Sequence, residues 1–519
     1  RRVVQIGRTA YVSGGVLLQY DGEGLTEVGF EQFPVRLEVA DSAAGLIVTA
    51  GKYSYKGSLR WDNGRGETER STTAIGAQLT LAALRKATWW ASRLRVTKKR
   101  STRRAPSVEM WRTTINPSND SPFYLITSRD PSVTGDNGYV ANDPAAVIAV
   151  PDQTDNMTDA ILTTKEQHPE NEVVLPRFAP PPATIVITSD TRMFLAGVPG
   201  DPTAVWYSLL RNEGEIVGFH GALRFTLPAT TGPVTGLALQ AETLVVLTAS
   251  AIYVVPGDGF DNTGGGSNYG PPRMISSDVG GLSHDSIAAT PAGLVFFSRK
   301  GWYRLTSGWD LEYIGAKVED FNTDTWVASQ VVESQHQVRF LSSGSSGRML
   351  MWDYLVGEWS EWTQANGLGL ARWRTYPMLL DTTAVKKEQS TFTSVDYYME
   401  IVTGWIHPAQ LQGMARVRRI AILGEFKANH AQSVSIGYDY VTASYTDTDA
   451  MDFTANPTQM RMGLSRQRCQ AFRVRIVVWT ASTGVVVAPA YDAVTLTGLS
   501  LEYALKRGLY QRLPAAQKQ

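Results

Sequence analysis

Residues 183–362 repeat one pattern: a short apolar run, a polar turn, a second apolar run, then a Gly-rich or Pro-rich connection. The first copy is the run 184–187, the turn Ser189-Asp190-Thr191, the run 193–196 and a third run at 205–208. Later copies pair 244–247 with 252–255, 294–297 with 302–305, and 338–341 with 349–352. Runs of this length between turn residues predict strands. Phe194, Val246, Phe296 and Phe340 mark equivalent strand centres 52, 50 and 44 residues apart. That spacing suits the four-strand unit of a β-propeller.

One small sheet cannot bury both of its faces, whereas sheets packed side by side can. The aromatic residues Trp206, Tyr207, Tyr253, Trp302, Tyr303, Trp352 and Trp359 supply large areas for that packing, about 1.5–3 kcal/mol for each buried large apolar side chain. Their first reading is therefore core.

The predicted fold is mainly β: a β-propeller with an inserted β-sandwich and a C-terminal β-sandwich. Residues 1–32 share the propeller pattern and can close its ring by pairing with strands after Gly367. Residues 33–182 break the rhythm and read as the inserted sandwich, with strands at 36–39, 53–61, 92–97, 107–113 and 123–127. The Asp62-Asn63-Gly64 turn is a hairpin signal. Residues 79–90 and 158–167 are the two segments read as helix, and Pro180-Pro181-Pro182 is a stiff exit linker. The blades occupy 183–402. From 403 to 519 the alternating runs 417–424, 434–440 and 471–477 predict a second sandwich, followed by a basic tail at 506–518.

Lys and Arg together number 49, as do Asp and Glu, so no global polyanion-binding charge exists. Cys469 is the one cysteine, which excludes an internal disulfide and suits a reducing cytoplasm. Apolar runs such as 485–490 are too short to span a bilayer, and no membrane insertion is expected. The chain opens Arg1-Arg2-Val3 without a signal-peptide pattern and without an initiator Met, so further N-terminal sequence is allowed for.

Catalytic patterns are missing from the sequence. Its six histidines are scattered, outside any HExxH arrangement. The Gly264-Gly265-Gly266 loop lacks the Lys-Ser/Thr of a phosphate loop. Asp447, Asp449 and Asp452 read as a solvated turn, with calcium as the functional alternative. The chain is therefore expected not to be an enzyme and to use no metal or cofactor. One charge run invites a functional reading: Arg93, Arg95, Lys98, Lys99, Arg100, Arg103 and Arg104, with no acid between Arg85 and Ser107. Lys98, Lys99, Arg100, Arg103 and Arg104 are the candidate DNA-facing residues, because Lys and Arg meet phosphates without sequence preference. The competing reading is a solvated strand-edge loop whose charges deter edge pairing.

Several motifs carry a family resemblance. Tyr53-Ser54-Tyr55, Trp61-Asp62-Asn63-Gly64, Glu69-Arg70-Ser71 and Trp111-Arg112-Thr113 resemble the inserted domain of large tail proteins of short-tailed bacteriophages. Residues 190–197 with Val205-Trp206-Tyr207-Ser208 look like their first full blade. Val417-Arg418-Arg419-Ile420, the run 466–475, residues 498–503 and Lys506-Arg507-Gly508-Leu509 are similar to the closing domain of that family. Trp111 stands where the family usually shows Tyr. The resemblance, to tail nozzle or tail-hub proteins of the tail tubular protein B type, implies a structural virion protein made in the host cytoplasm. It implies a ring of six copies below the head-to-tail adaptor, in contact with fibre or needle proteins, whose lumen conducts double-stranded DNA during ejection. The alternative is a propeller-type carbohydrate-active or host-glycan-binding tail protein, and a purely receptor-binding protein is a third possibility.

Overall fold

The computed structural model of the chain describes all residues except 1, 32–34, 48, 74–75, 102–103, 148–150, 170–173, 344–346, 364, 389–397, 410–412, 427–429, 443, 454–457, 467, 481–493 and 506–519. Strands make up 50% and helix 4% of it, so the chain is mainly β. It forms two compact units, Arg1–Lys386 and Lys387–Gln519. The basic tail and residues 485–490 lie outside the described residues.

The first unit contains five four-stranded antiparallel meanders. The first is Val3–Ile6, Thr9–Val12, Leu18–Tyr20 and Leu25–Glu27. The second is Ile185–Thr188, Met193–Ala196, Ala204–Tyr207 and Arg224–Thr226. The third is Val234–Gln240, Thr243–Thr248, Ile252–Val255 and Arg273–Ser276. The fourth is Ala288–Thr290, Gly293–Ser298, Gly301–Leu305 and Leu311–Tyr313. The fifth is Thr325–Val332, Gln337–Ser343, Arg348–Asp353 and Glu358–Thr363. A sixth, three-stranded sheet follows: Gly369–Trp373, Tyr376–Leu380 and Val385–Lys387. Each predicted pair of apolar runs is a hairpin in this series. The leading strand of each sheet adjoins the leading strand of the next, from Val3–Ile6 to Gly369–Trp373.

Packing follows from that arrangement. Phe194, Val205 and Tyr207 of the second meander share a core with Leu237, Val246 and Tyr253 of the third. Trp302 of the fourth meander lies 4.1 Å from Phe340 and 5.2 Å from Trp326 of the fifth, between ring centroids. Trp359 completes the cluster at 5.5 Å.

The first four strands pair with one another and not with strands after Gly367. Their short connections satisfy the backbone locally. The sheet is joined instead to the second meander, where Ala183 N donates to Gly15 O and Gly14 N to Ala183 O, both at 3.0 Å. Gly14 and Gly15, at φ 107° and 140°, supply backbone that L side chains rarely adopt.

Residues 37–155 build two further sheets in the first unit. One centres on Gly51–Asp62, flanked by Ser107–Arg112, Thr68–Arg70 and Ala77–Leu81; the other joins Leu37–Ile47, Arg85–Ala91 and Gln153–Asp155. Tyr53, Tyr55, Trp61, Trp89 and Met110 are buried in one core with residues of the first meander. The helix predicted over 79–90 is two strands, Ala77–Leu81 and Arg85–Ala91, with Leu84 at φ 57° between them. Ala87, Trp89 and Ala91 are buried at alternate positions, so a period of two replaces the helical one. The second predicted helix is real but short, Asp159–Leu162, with the Thr158 side chain accepting from Ile161 N. The strand predicted at 92–97 is irregular, because the Asn142 amide bonds both Leu94 N and Leu94 O.

The second unit has a four-stranded sheet (Tyr398–Val402, Phe472–Thr480, His430–Tyr438, Asp447–Phe453) and a three-stranded one (Gln459–Gly463, Ala415–Phe426, Val494–Leu505). Val417, Ile420 and Ile422 of the second meet Val434, Ile436, Phe472 and Val474 of the first in a single core.

Replacing Trp302 by Ala empties the joint between the fourth and fifth meanders. We expect a loss of about 3–5 kcal/mol, read as a lower denaturation midpoint in urea; a change below about 1 kcal/mol would mean the cluster does not hold the two sheets.

Candidate functional site

The basic run is not a continuous charged surface. Lys99 lies in a short 3-10 turn, Lys98–Ser101, and is fully buried. Its Nζ is 2.8 Å from Glu69 Oε2 and also donates to Gly29 O. The ammonium sits 4.2 Å from the Phe30 ring centroid, at a typical cation–π distance. Lys99 therefore corrects the DNA-facing expectation: its charge is spent inside the protein. Arg93 is likewise buried against Asp152. Lys98 and Arg104 are exposed, and Arg104 Nη1 donates to Asn63 O at 3.2 Å. Arg103 lies outside the described residues, and of Arg100 only the backbone is described.

Glu69 on the hairpin strand Thr68–Arg70 and Glu67 just before it project into the joint with the first meander. Glu67 accepts from Thr9 Oγ1 and, at 3.0 Å, from Asn63 Nδ2, and lies 3.4 Å from Arg211. Glu69 accepts from Gln19, Gly29 N and Lys99. Both carboxylates are thus closed by partners. Burial pushes the Tyr11 hydroxyl pKa well up, reinforced by the Glu67 charge. A second buried centre joins Arg112 to Asp155 and Asp159 at 3.3 and 3.0 Å, with Tyr55 donating to Asp155 at 3.0 Å. A third surrounds Glu109 with Arg60, Arg70 and Arg129 at 3.4, 3.2 and 2.7 Å.

At the leading strands, Arg2 reaches Asp285 with Nε–Oδ1 at 2.8 Å, tying the first meander to the fourth. Beside them His284 is buried, and burial together with the Arg2 charge pulls its pKa down to about 3. The glycine loop closes on itself as well. Asp261 Oδ1 accepts from Thr263 N at 2.8 Å, Thr263 Oγ1 at 2.6 Å and Gly265 N at 2.9 Å, and Asp261 O accepts from Gly264 N at 3.1 Å, so these three amides are occupied within the loop. Asp447 is engaged too, by Tyr438 Oη and Ser465 Oγ, each at 2.6 Å.

The second unit contains an arrangement of another kind. Arg473 and Arg475, two apart on Phe472–Thr480, stand over aromatic rings. The Arg473 guanidinium is 5.1 Å from the Trp405 centroid and 5.0 Å from that of Tyr445, and Arg475 is 5.3 Å from Tyr445. Trp405 and Tyr440 are 5.2 Å apart at 49°, and His407 and Tyr440 5.7 Å apart at 35°. Tyr440 Oη bonds His407 Nδ1 at 3.2 Å. Tyr440 is 42% exposed, and Asp439 and Tyr440 both adopt positive φ, 53° and 65°. Gly437 pairs with Arg473 across the strands; a Cβ there would meet Arg473 Cγ and Nε at 3.3 Å. The sequence showed the Arg473-Val474-Arg475 alternation but not the ring partners, which come from separate loops.

No family model matches the chain, and no curated protein matches it. Among solved structures it is similar to an exo-β-1,3-galactanase from Phanerochaete chrysosporium with β-1,3-galactotriose, at 9% identity over 61% of this chain and 95% of that one, with a TM-score of 0.25. The same galactanase with galactose gives 8%, 76%, 93% and 0.24. A puromycin hydrolase gives 10% identity over 73% of this chain and 49% of that one, with a TM-score of 0.29. These structures are hydrolases, and on that finding the expectation of a chain without enzymatic activity does not stand. A likeness at such scores carries no activity over, so none is assigned in its place.

Replacing Lys99 by Met leaves Glu69 buried without its cation. The expected cost is about 3–5 kcal/mol, read as a lower urea midpoint, with affinity for duplex DNA unchanged. Weaker DNA binding at unaltered stability would restore Lys99 to a DNA-facing role.

Proposed function

We propose that this chain is a structural subunit of a short-tailed bacteriophage tail, a nozzle or hub protein that assembles as a ring of six and conducts double-stranded DNA. In this reading the meanders are propeller blades, and the sheets of residues 33–182 and 403–519 are an inserted and a closing sandwich. The ring sits below the head-to-tail adaptor and meets fibre or needle proteins. The observation that carries the reading is the sixth sheet. Leu368, Trp373 and Val385 there are 61%, 66% and 61% exposed, and Tyr376 and Leu380 are exposed beside them. Large exposed apolar surface marks association sites. A closed ring requires heterologous contacts, in which different patches on neighbouring copies meet, and the sixth sheet supplies one such patch. The order of the family motifs along the chain supports the same reading.

The test is mass. We expect the purified chain to assemble, alone as a multiple of 56.9 kDa or with adaptor as a complex containing several copies of it. The double variant L368E/W373E is expected to stay monomeric with an unchanged melting temperature. A wild-type chain that stays monomeric at micromolar concentration with adaptor present would overturn the proposal.

A second reading, a host-glycan-binding or carbohydrate-active tail protein, is favoured by the exposed rings of the second unit. Aromatic faces are surfaces on which sugar rings stack, and Tyr440 is held outward in a strained backbone conformation. Cells or purified polysaccharide of the host surface are expected to retain the wild-type chain and to release a Tyr440→Ala variant at least threefold more readily. Equal retention of the two proteins would remove the second unit from this reading.

A further inference from the structure

We infer that the surface of Trp405, His407, Tyr440, Tyr445 and Arg473 is a binding site for an acidic saccharide, its sugar ring against the aromatic corner and its acid group on Arg473. This rests on the glycan-binding reading and adds to it the chemical class of the ligand and the residue that selects it.

The argument starts from how charge is distributed over the patch. Three arginines lie close together, and two are neutralised. Arg466 Nη2 is 2.7 Å from Asp439 Oδ2, and Arg475 Nε is 2.8 Å from Glu400 Oε1. Among the described residues Arg473 has no carboxylate partner. Its Nη2 donates to Thr442 O at 2.5 Å, its Nε is buried without a hydrogen-bond partner, and its plane stands near two aromatic rings. Three more deeply enclosed cations are paired with acids, Arg93 with Asp152, Arg112 with Asp155 and Lys99 with Glu69, whereas the buried Arg192 is held by the Ser208 and Phe260 carbonyls. Arg473 differs from all four in standing at a half-exposed aromatic corner. Arg473 keeps its charge for an anion supplied from outside. A guanidinium is suited to that task, since it binds carboxylate or phosphate through two parallel hydrogen bonds.

Backbone conformation points to the same place. A Tyr at positive φ is uncommon and strained; here it follows an Asp that is also left-handed. Val441 N closes the turn on Tyr438 O at 3.1 Å. The turn is stitched below by Asp439 Oδ1, which accepts from Gln470 N at 2.7 Å. The strained backbone thus holds a half-exposed ring beside Trp405 and His407. The glycine at 437 leaves room for the Arg473 stem to cross the neighbouring strand.

The shape of the corner separates saccharide from nucleic acid. Rings inclined at 49° and 35° to one another form a small angled seat, in contrast to a file of parallel faces for successive bases. A nucleic-acid strand also brings a phosphate at every residue, whereas Arg473 is the one arginine of the three without an acid. A single acid beside a single apolar sugar face matches one uncompensated cation beside one aromatic corner.

The experiment titrates the full chain with oligogalacturonate, with its methyl-esterified neutral counterpart of the same backbone, and with oligothymidylate. We expect the acid form to bind at least tenfold more tightly than the ester, and R473Q to lose that difference while keeping its circular dichroism spectrum and melting temperature. The acid-versus-ester comparison on the wild-type chain needs no variant and so stands even where R473Q fails to fold. Equal binding of acid and ester overturns the inference and leaves the glycan-binding reading intact. Binding of neither sugar overturns both. Oligothymidylate binding more tightly than either sugar overturns both in favour of a single-strand nucleic-acid surface.

Discussion

A four-stranded sheet about four residues deep has two faces to bury and no partner of its own to bury them against. Every other feature of the first unit follows from that constraint. Each meander presents one face to the sheet before it and one to the sheet after it, so leading strand adjoins leading strand along the series, and the largest side chains stand at the joints. The cluster of Trp302, Trp326, Phe340 and Trp359 is such a joint. At the sixth sheet the series leaves large apolar side chains exposed, which is why that sheet is where a structural reading looks for a neighbour.

The same constraint governs the charged groups. A hairpin that docks against the first meander takes two carboxylates, Glu67 and Glu69, out of water, and each needs a cation and several donors at once. Lys99 and Arg211 supply the cations, and Asn63, Thr9, Gln19 and Gly29 N the donors. Desolvating a charge costs several kcal/mol per ion unless such partners are in place. The buried network therefore specifies one position of the hairpin and engages both oxygens of each carboxylate in structural bonds. Paired carboxylates close together in space are in this case a joint.

Strands were legible in the sequence to the extent that burial alternates along them. The runs 193–196 and 252–255 coincide with Met193–Ala196 and Ile252–Val255, since a run flanked by polar turns has one way to form a hairpin. Residues 79–90 misled because Leu, Ala, Arg and Lys favour helix locally. Pairing of Ala77–Leu81 with Gly51–Asp62, and of Arg85–Ala91 with Leu37–Ile47, decided otherwise, and such long-range pairing leaves no local mark. Lys99 shows the same limit for charge. Its neighbours in sequence are Lys98 and Arg100, and its acid is thirty positions away. A run of basic residues reads as a surface until the fold shows which of them has been drawn inward.

Arg473 is the converse case, and it gives a criterion for telling a functional charge from a structural one. Enclosure alone does not separate them, because Lys99 is more deeply enclosed than Arg473. Composition does not either, because both stand over aromatic rings. The difference is neutralisation: the field of Lys99 is closed at 2.8 Å by Glu69, whereas Arg473 meets ring faces and a backbone carbonyl. Ring quadrupoles orient a guanidinium and hold it away from competing acids, but they leave its net charge in place. Position 437, which faces it, is a glycine, the residue that gives the arginine space and no partner.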